Sequence, residues 1–175
     1  MTIYTPQDWI DGDATKPVSA ARLAYIEAGV LASYQRERAR VFHNAAQSIG
    51  SGTLTALAFN SERVDTDLIH ETVTNNSRLT CKTAGFYLIG GSAEFADPAA
   101  TIQARIAIRL NGSTLLTEHR PPNYATGATI PLSIATAYEL AVNDYVELMV
   151  FQNKGSGLNV NATGNKSPEF WMGRT

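Results

Sequence analysis

From Val41 to the end of the chain, apolar residues recur at every second position in short runs broken by Gly, Asn, Asp and Pro. A period of two puts alternate side chains on opposite faces, so the pattern predicts many short antiparallel strands and no second helix. In Gly85–Phe95 one face carries Tyr87, Ile89, Ala93 and Phe95, and the other ends in Ser92 and Glu94. The run Ala104–Leu110 turns Ala104, Ile106, Ile108 and Leu110 inward and Arg105 and Arg109 outward. Asn111-Gly112 then supplies a hairpin turn that tolerates positive φ. Further strands are predicted over Thr129–Tyr138, Tyr145–Gln152, Leu158–Ala162 and Glu169–Gly173. About eight to ten such strands argue for an all-β sandwich or jelly roll. Its expected core holds Tyr87, Ile89, Phe95, Ile106, Ile108 and Leu110. From the later strands it adds Val146, Leu148, Val150, Phe170 and Met172.

The N-terminal part reads differently. Residues 1–18, with Pro6, Gly12 and Pro17, have little periodicity and read as an extended arm. Ser19 is a fitting N-cap for a helix expected from Ala20 to Arg38. Leu23, Ile26, Val30 and Tyr34 fall on one face of it, a narrow stripe that suits a small bundle of helices or a docking groove. The alternative is a helix folded back on its own domain. The expected domains are an arm and helix over residues 1–38 and a head over residues 39–175.

Composition narrows the function classes. At 175 residues and 44 % hydrophobic content, the chain can form one domain with a core and an appended segment. A formal net charge of -2 offers no cationic surplus for a phosphate backbone, so nucleic acid is not an expected partner. The single cysteine, Cys81, rules out an internal disulfide. No charged-then-apolar leader opens the chain, and no apolar run approaches a membrane span. A protein made in a bacterial cytoplasm and released by particle assembly and lysis needs neither.

Four segments in order carry a family resemblance: Thr83–Ile89, Arg105–Gly112, Asn143–Leu148 and Ser167–Gly173. Together they resemble the globular head of the complement C-one-q and tumour necrosis factor superfamily, over roughly Val41 to Thr175. The resemblance implies a ten-stranded jelly roll that associates as a tight homotrimer. The chain departs from the animal proteins in lacking a Gly-X-Y collagen stalk. In its place Trp9–Val30, with its Trp-x-Asp-Gly start and Ser-Ala-x-x-Leu-x-x-Ile-Glu-x-Gly-Val continuation, resembles the N-terminal segment of many phage tail appendages and minor tail proteins. That resemblance implies a virion protein, with Trp9, Ile10 and Asp11 docking it to capsid or tail proteins and Leu23, Ile26 and Val30 bundling three helices. After Asp144, Val146, Leu148 and Val150 alternate with Tyr145, Met149 and Phe151, and the second set would form an exposed apolar stripe on a lone head. Tyr145, Met149 and Phe151 are therefore the expected trimer contacts.

Catalytic chemistry finds little support. His43, His70 and His119 have no metal-ligand spacing. Asp65 and Asp67, like Asp11-Gly12-Asp13, suit turns better than calcium loops, because neither has the downstream bidentate Glu. Cys81 reads as a small buried hydrophobe and no nucleophile elbow is present. Glu94, Glu118, Glu139 and Glu147 are the carboxylates from which a glycosidase pair would have to come. Asn75, Asn111, Asn161 and Asn165 each open an Asn-x-Ser/Thr sequence and are taken as turn residues. The expectation is a non-enzymatic protein without metal or cofactor. It is either a trimeric structural component of a phage virion surface or, on the same fold, an adhesin for a host-surface glycan or protein.

Overall fold

The computed structural model describes residues 19–34 and 36–175, and the chain divides into two units, Met1–Arg36 and Glu37–Thr175. The first contains α1 (Ala20–Tyr34). Ser19 caps it: its hydroxyl accepts the Arg22 amide at 3.3 Å and its carbonyl the Leu23 amide at 3.0 Å. The helix stops at Tyr34 rather than Arg38, because the β-ladder claims the residues beyond. The Glu37 carbonyl accepts the Arg174 amide at 2.9 Å, and Arg38 pairs with Gly173. Among the described residues no helix is long and apolar enough to cross a membrane.

The second unit is built from strands alone. In chain order they are β1 (Arg38–Phe42), β2 (Gln47–Ile49), β3 (Thr55–Ala56), β4 (Ser61–Asp65), β5 (Arg78–Thr80) and β6 (Gly85–Phe95). β7 (Ala104–Leu110), β8 (Thr114–His119), β9 (Ile130–Leu140), β10 (Tyr145–Gln152), β11 (Leu158–Val160) and β12 (Glu169–Arg174) complete the set. A seven-stranded sheet runs β2-β11-β6-β12-β1-β4, with β9 paired along the whole of β6. A five-stranded sheet runs β3-β10-β7-β8, with β5 also on β10. All the ladders are antiparallel, and the two sheets pack face to face as a jelly roll.

Alternation sets the core. Tyr87, Ile89 and Phe95 from the first sheet meet Ile106, Ile108, Val146, Leu148 and Val150 from the second, and all are buried with Phe170 and Met172. Leu110, expected inside, is only partly buried, because it ends β7 at the Asn111-Gly112 hairpin (φ 49° and 71°). The loops contribute more than periodicity predicts. Leu57, Phe59 and Ile69 lie outside any strand yet are fully covered, and the Phe59 ring stacks on Phe170 at 5.7 Å.

The chain enters the head beside its own C-terminus. Glu37 is buried there, and the Tyr87 hydroxyl donates to its Oε2 at 2.6 Å and lies 2.7 Å from the Thr83 carbonyl. Burial, reinforced by the Glu37 carboxylate at the hydroxyl, pushes the Tyr87 phenol well above its ordinary value of 10.0.

Candidate functional site: two outer sheet faces

The outer faces of the two sheets differ in what covers them. On β10, alternation does turn Tyr145, Glu147, Met149 and Phe151 away from the core, but no apolar stripe results. Met149 is 1 % exposed and Phe151 9 %, and Tyr145 is partly covered. Over Phe151 and Tyr145 the cover is a roof of arginines. Arg105, the cross-strand partner of Phe151, lays its guanidinium 3.8 Å from that ring's centroid, and Arg78 lies 4.0 Å over Tyr145. Between them Glu147 is buried and accepts from Arg109 at 3.0 and 2.8 Å and from the Ser77 hydroxyl at 3.0 Å. Tyr145, Met149 and Phe151 therefore form no exposed apolar stripe on a lone head, because the chain covers Met149 and Phe151 itself.

The other sheet leaves apolar surface open. Phe86 is 47 % exposed and Leu88 48 %, both on the outer face of β6. The neighbours of Leu88 across the ladders are small, Ala137 of β9 and Gly173 of β12, and Gly90 lies between Ala135 and Trp171. Gly90 is needed here, since a Cβ would sit 2.4 Å from Trp171 Cζ2, so the indole lies flat over the glycine. The same face turns polar further along. There Glu169, 2 % exposed, accepts from Arg40 Nε at 2.6 Å and Arg63 Nε at 2.7 Å, next to Ser92 and Ser133. Sequence reading passed over Phe86, Leu88 and Trp171. The signal was present in Gly85-Phe-Tyr-Leu-Ile, where both parities of a strand are apolar, as in strands covered on both sides.

Trp9, Ile10 and Asp11 lie outside the described residues, as do Asp11-Gly12-Asp13. Leu23, Ile26 and Val30 lie on α1 and are exposed, together with Tyr25 and Leu31. The residues weighed for chemistry are spread over the head. Asp65 spends its carboxylate on the amides of Asp67, Ile69 and His70. His70 bonds Glu62 and the Asn76 carbonyl, and His43 bonds Ala45. Glu94, Glu118, Glu139 and Glu147 stand on four different strands, and Glu118 is held by Arg105 at 3.2 Å and Arg120 at 2.7 Å. Burial pushes the Cys81 thiol up, and it donates to the Thr83 carbonyl at 3.1 Å. No three His, Cys, Asp or Glu side chains gather as metal ligands among the described residues.

The two-sheet fold is similar to solved structures. Murine APRIL at pH 5.0 matches with a TM-score of 0.59 at 11 % identity, covering 80 % of this chain and 99 % of that one. The fold is the tumour necrosis factor/complement 1q jelly roll. Eiger TNF from S. frugiperda matches at 0.58 with 14 % identity, covering 81 % of this chain and 93 % of its own. The globular domain of zebrafish complement 1qA matches at 0.50 with 14 % identity, over 78 % and 93 %. No protein-family model and no curated protein matches the sequence.

Proposed function

We propose that the chain is a non-enzymatic structural protein of a bacteriophage virion, assembled as a homotrimer and held to capsid or tail proteins by its N-terminal segment. The observation that carries the trimer is the open apolar face of β6, β9 and β12. A soluble head with Phe86 and Leu88 half in water beside Ala135, Ala137 and Gly173 has a smooth surface that a second copy can approach closely. The particle assignment is supported by the Trp9–Val30 motif. In this reading Trp9, Ile10 and Asp11 dock the particle, and Leu23, Ile26 and Val30, apolar and exposed on α1, join three helices. Three tethered heads raise the effective concentration of each arm at its docking surface. The protein is made in the bacterial host cytoplasm and leaves with the virion.

Sedimentation of the whole chain at micromolar concentration tests the trimer. Wild type sediments as a trimer, Leu88→Glu as a monomer, and Tyr145→Lys, on the arginine-roofed face, stays trimeric. Leu88→Glu sedimenting with wild type would remove the proposed interface. For the anchor, deletion of residues 1–18 leaves a trimeric protein that no longer joins particles. Particles carrying the truncated protein at full occupancy would refute the docking role.

A further inference from the structure

The loop between β4 and β5 is built more firmly than a connection requires. Asp65 gathers the amides of Asp67, Ile69 and His70 at 2.9–3.2 Å. The buried His70 ring ties Glu62 at 2.9 Å to the Asn76 carbonyl at 3.2 Å, and the Thr80 amide closes on the Ile69 carbonyl at 2.8 Å. Within this frame two non-glycine residues hold left-handed backbone, Leu68 at φ 55° and Asn75 at φ 52°. Leu68 is unfavourable there, yet its side chain is 79 % exposed, so the strain is not spent on filling the core. Backbone strain held in place by its surroundings clusters at binding and active sites, so the loop is a place to look for a ligand.

Between this loop and β5 lies a cavity of about 80 Å³, where one water needs roughly 10–15 Å³. Arg78, Thr80 and Lys82 line it from the strand side. The Arg78 guanidinium is stacked on Tyr145, and its ion pair with Glu147 is long at 3.8 Å because Arg109 and Ser77 already occupy that carboxylate. Its N–H donors make no hydrogen bond among the described residues. Lys82 has no ionic partner there either, and Thr74, Asn75 and Thr80, which also line the cavity, keep their side-chain donors free among the described residues. Glu71 completes the lining, so two cations face one anion.

We infer that this pocket binds an acidic saccharide unit, its carboxylate held by Arg78 and Lys82. A planar guanidinium fixed by stacking offers two parallel N–H donors, the geometry that a carboxylate accepts. Thr74, Asn75, Thr80 and Glu71 supply partners for ring hydroxyls, and Leu68 offers a C–H face to the ring. β5 belongs to the opposite sheet from the face proposed for trimer contacts, so the pocket does not depend on that assignment.

Titration of the ¹⁵N-labelled full chain with glucuronate, glucose and acetate at constant ionic strength tests the inference. Glucuronate should shift the Arg78 Nε–H and the amides of residues 68–82 saturably. Glucose and acetate, each lacking one half of the ligand, should bind at least roughly tenfold more weakly. Arg78→Gln and Lys82→Gln, the latter at an exposed position, should each weaken glucuronate by about tenfold, while Lys154→Gln leaves it unchanged. No saturable shift with glucuronate, or equal binding of glucose, overturns the pocket as an acidic-sugar site. Acetate binding as tightly as glucuronate overturns the saccharide assignment. None of these results bears on particle attachment, which is read from residues 1–18.

Discussion

Gly91 and Leu148 face each other across the two sheets, and their contact can be tested quantitatively. A Cβ on Gly91 would lie 2.7 Å from Leu148 Cδ2, 3.0 Å from Cδ1 and 2.8 Å from the Glu169 carbonyl. Leu148→Ala opens a void beside a residue with no side chain to refill it, so its cost should fall in the upper part of the roughly 2–5 kcal/mol range. Gly91→Ala drives a methyl into Leu148 and into the backbone of β12, an overpacking worth about 1–3 kcal/mol. In the double variant the new methyl enters the space that Leu148 vacated, and only the backbone clash remains. The pair should therefore be less destabilised than the sum by about 1 kcal/mol or more, within the coupling typical of residues in contact. Urea unfolding at a single protein concentration measures all three, since self-association adds a concentration-dependent contribution. Additivity to within about 0.5 kcal/mol would refute the packing of β6 against β10 described above.

Two pH dependences follow from groups the fold perturbs. Tyr87 and Cys81 are both raised above their ordinary values of 10.0 and 9.0, so they stay neutral in the folded chain while ionising in the unfolded one. Their contribution is complete below about pH 9 and is lost as pH rises beyond it, and Tyr87→Phe should flatten urea midpoints measured between about pH 8 and pH 11. Glu118 has the opposite sign. Burial acts to raise it, but hydrogen bonds from Arg120 and Arg105 outweigh burial and hold its carboxyl below the ordinary 4.5. The stability it contributes is present above that value and lost as pH falls below it. The acid limb of the same profile should be shallower in Glu118→Gln, and identical limbs would deny the Arg105–Glu118–Arg120 chain.

The strand faces were legible because alternation is a property of the local backbone. Tyr87, Ile89, Ile106, Ile108, Val146 and Leu148 could be assigned inward without knowing any partner strand. Asn111-Gly112 and the Ser19 cap were legible for the same reason, since a turn or a cap is completed within a few residues. Leu57, Phe59 and Ile69 were not, because loop residues have no period to betray their burial. The pocket beside β5 was equally hidden. Arg78 and Lys82 look like ordinary surface cations until Arg109 and Ser77 occupy the carboxylate that would otherwise neutralise Arg78.

What the chain's own pattern determined, then, was the set of side chains on each face of each strand, which follows from a repeat of two residues and from nothing further away. What only the tertiary structure decided was which outer face stays open. Tyr145 and Phe151 are roofed because β5 and β7 bring Arg78 and Arg105 alongside β10 from distant parts of the sequence. Leu88 stays exposed because its ladder neighbours, Ala137 on β9 and Gly173 on β12, are too small to cover it. Coverage depends on which strands pair and in which register, and a repeat of two forbids a slip of one residue but leaves slips of two, and the choice of partner strand, open.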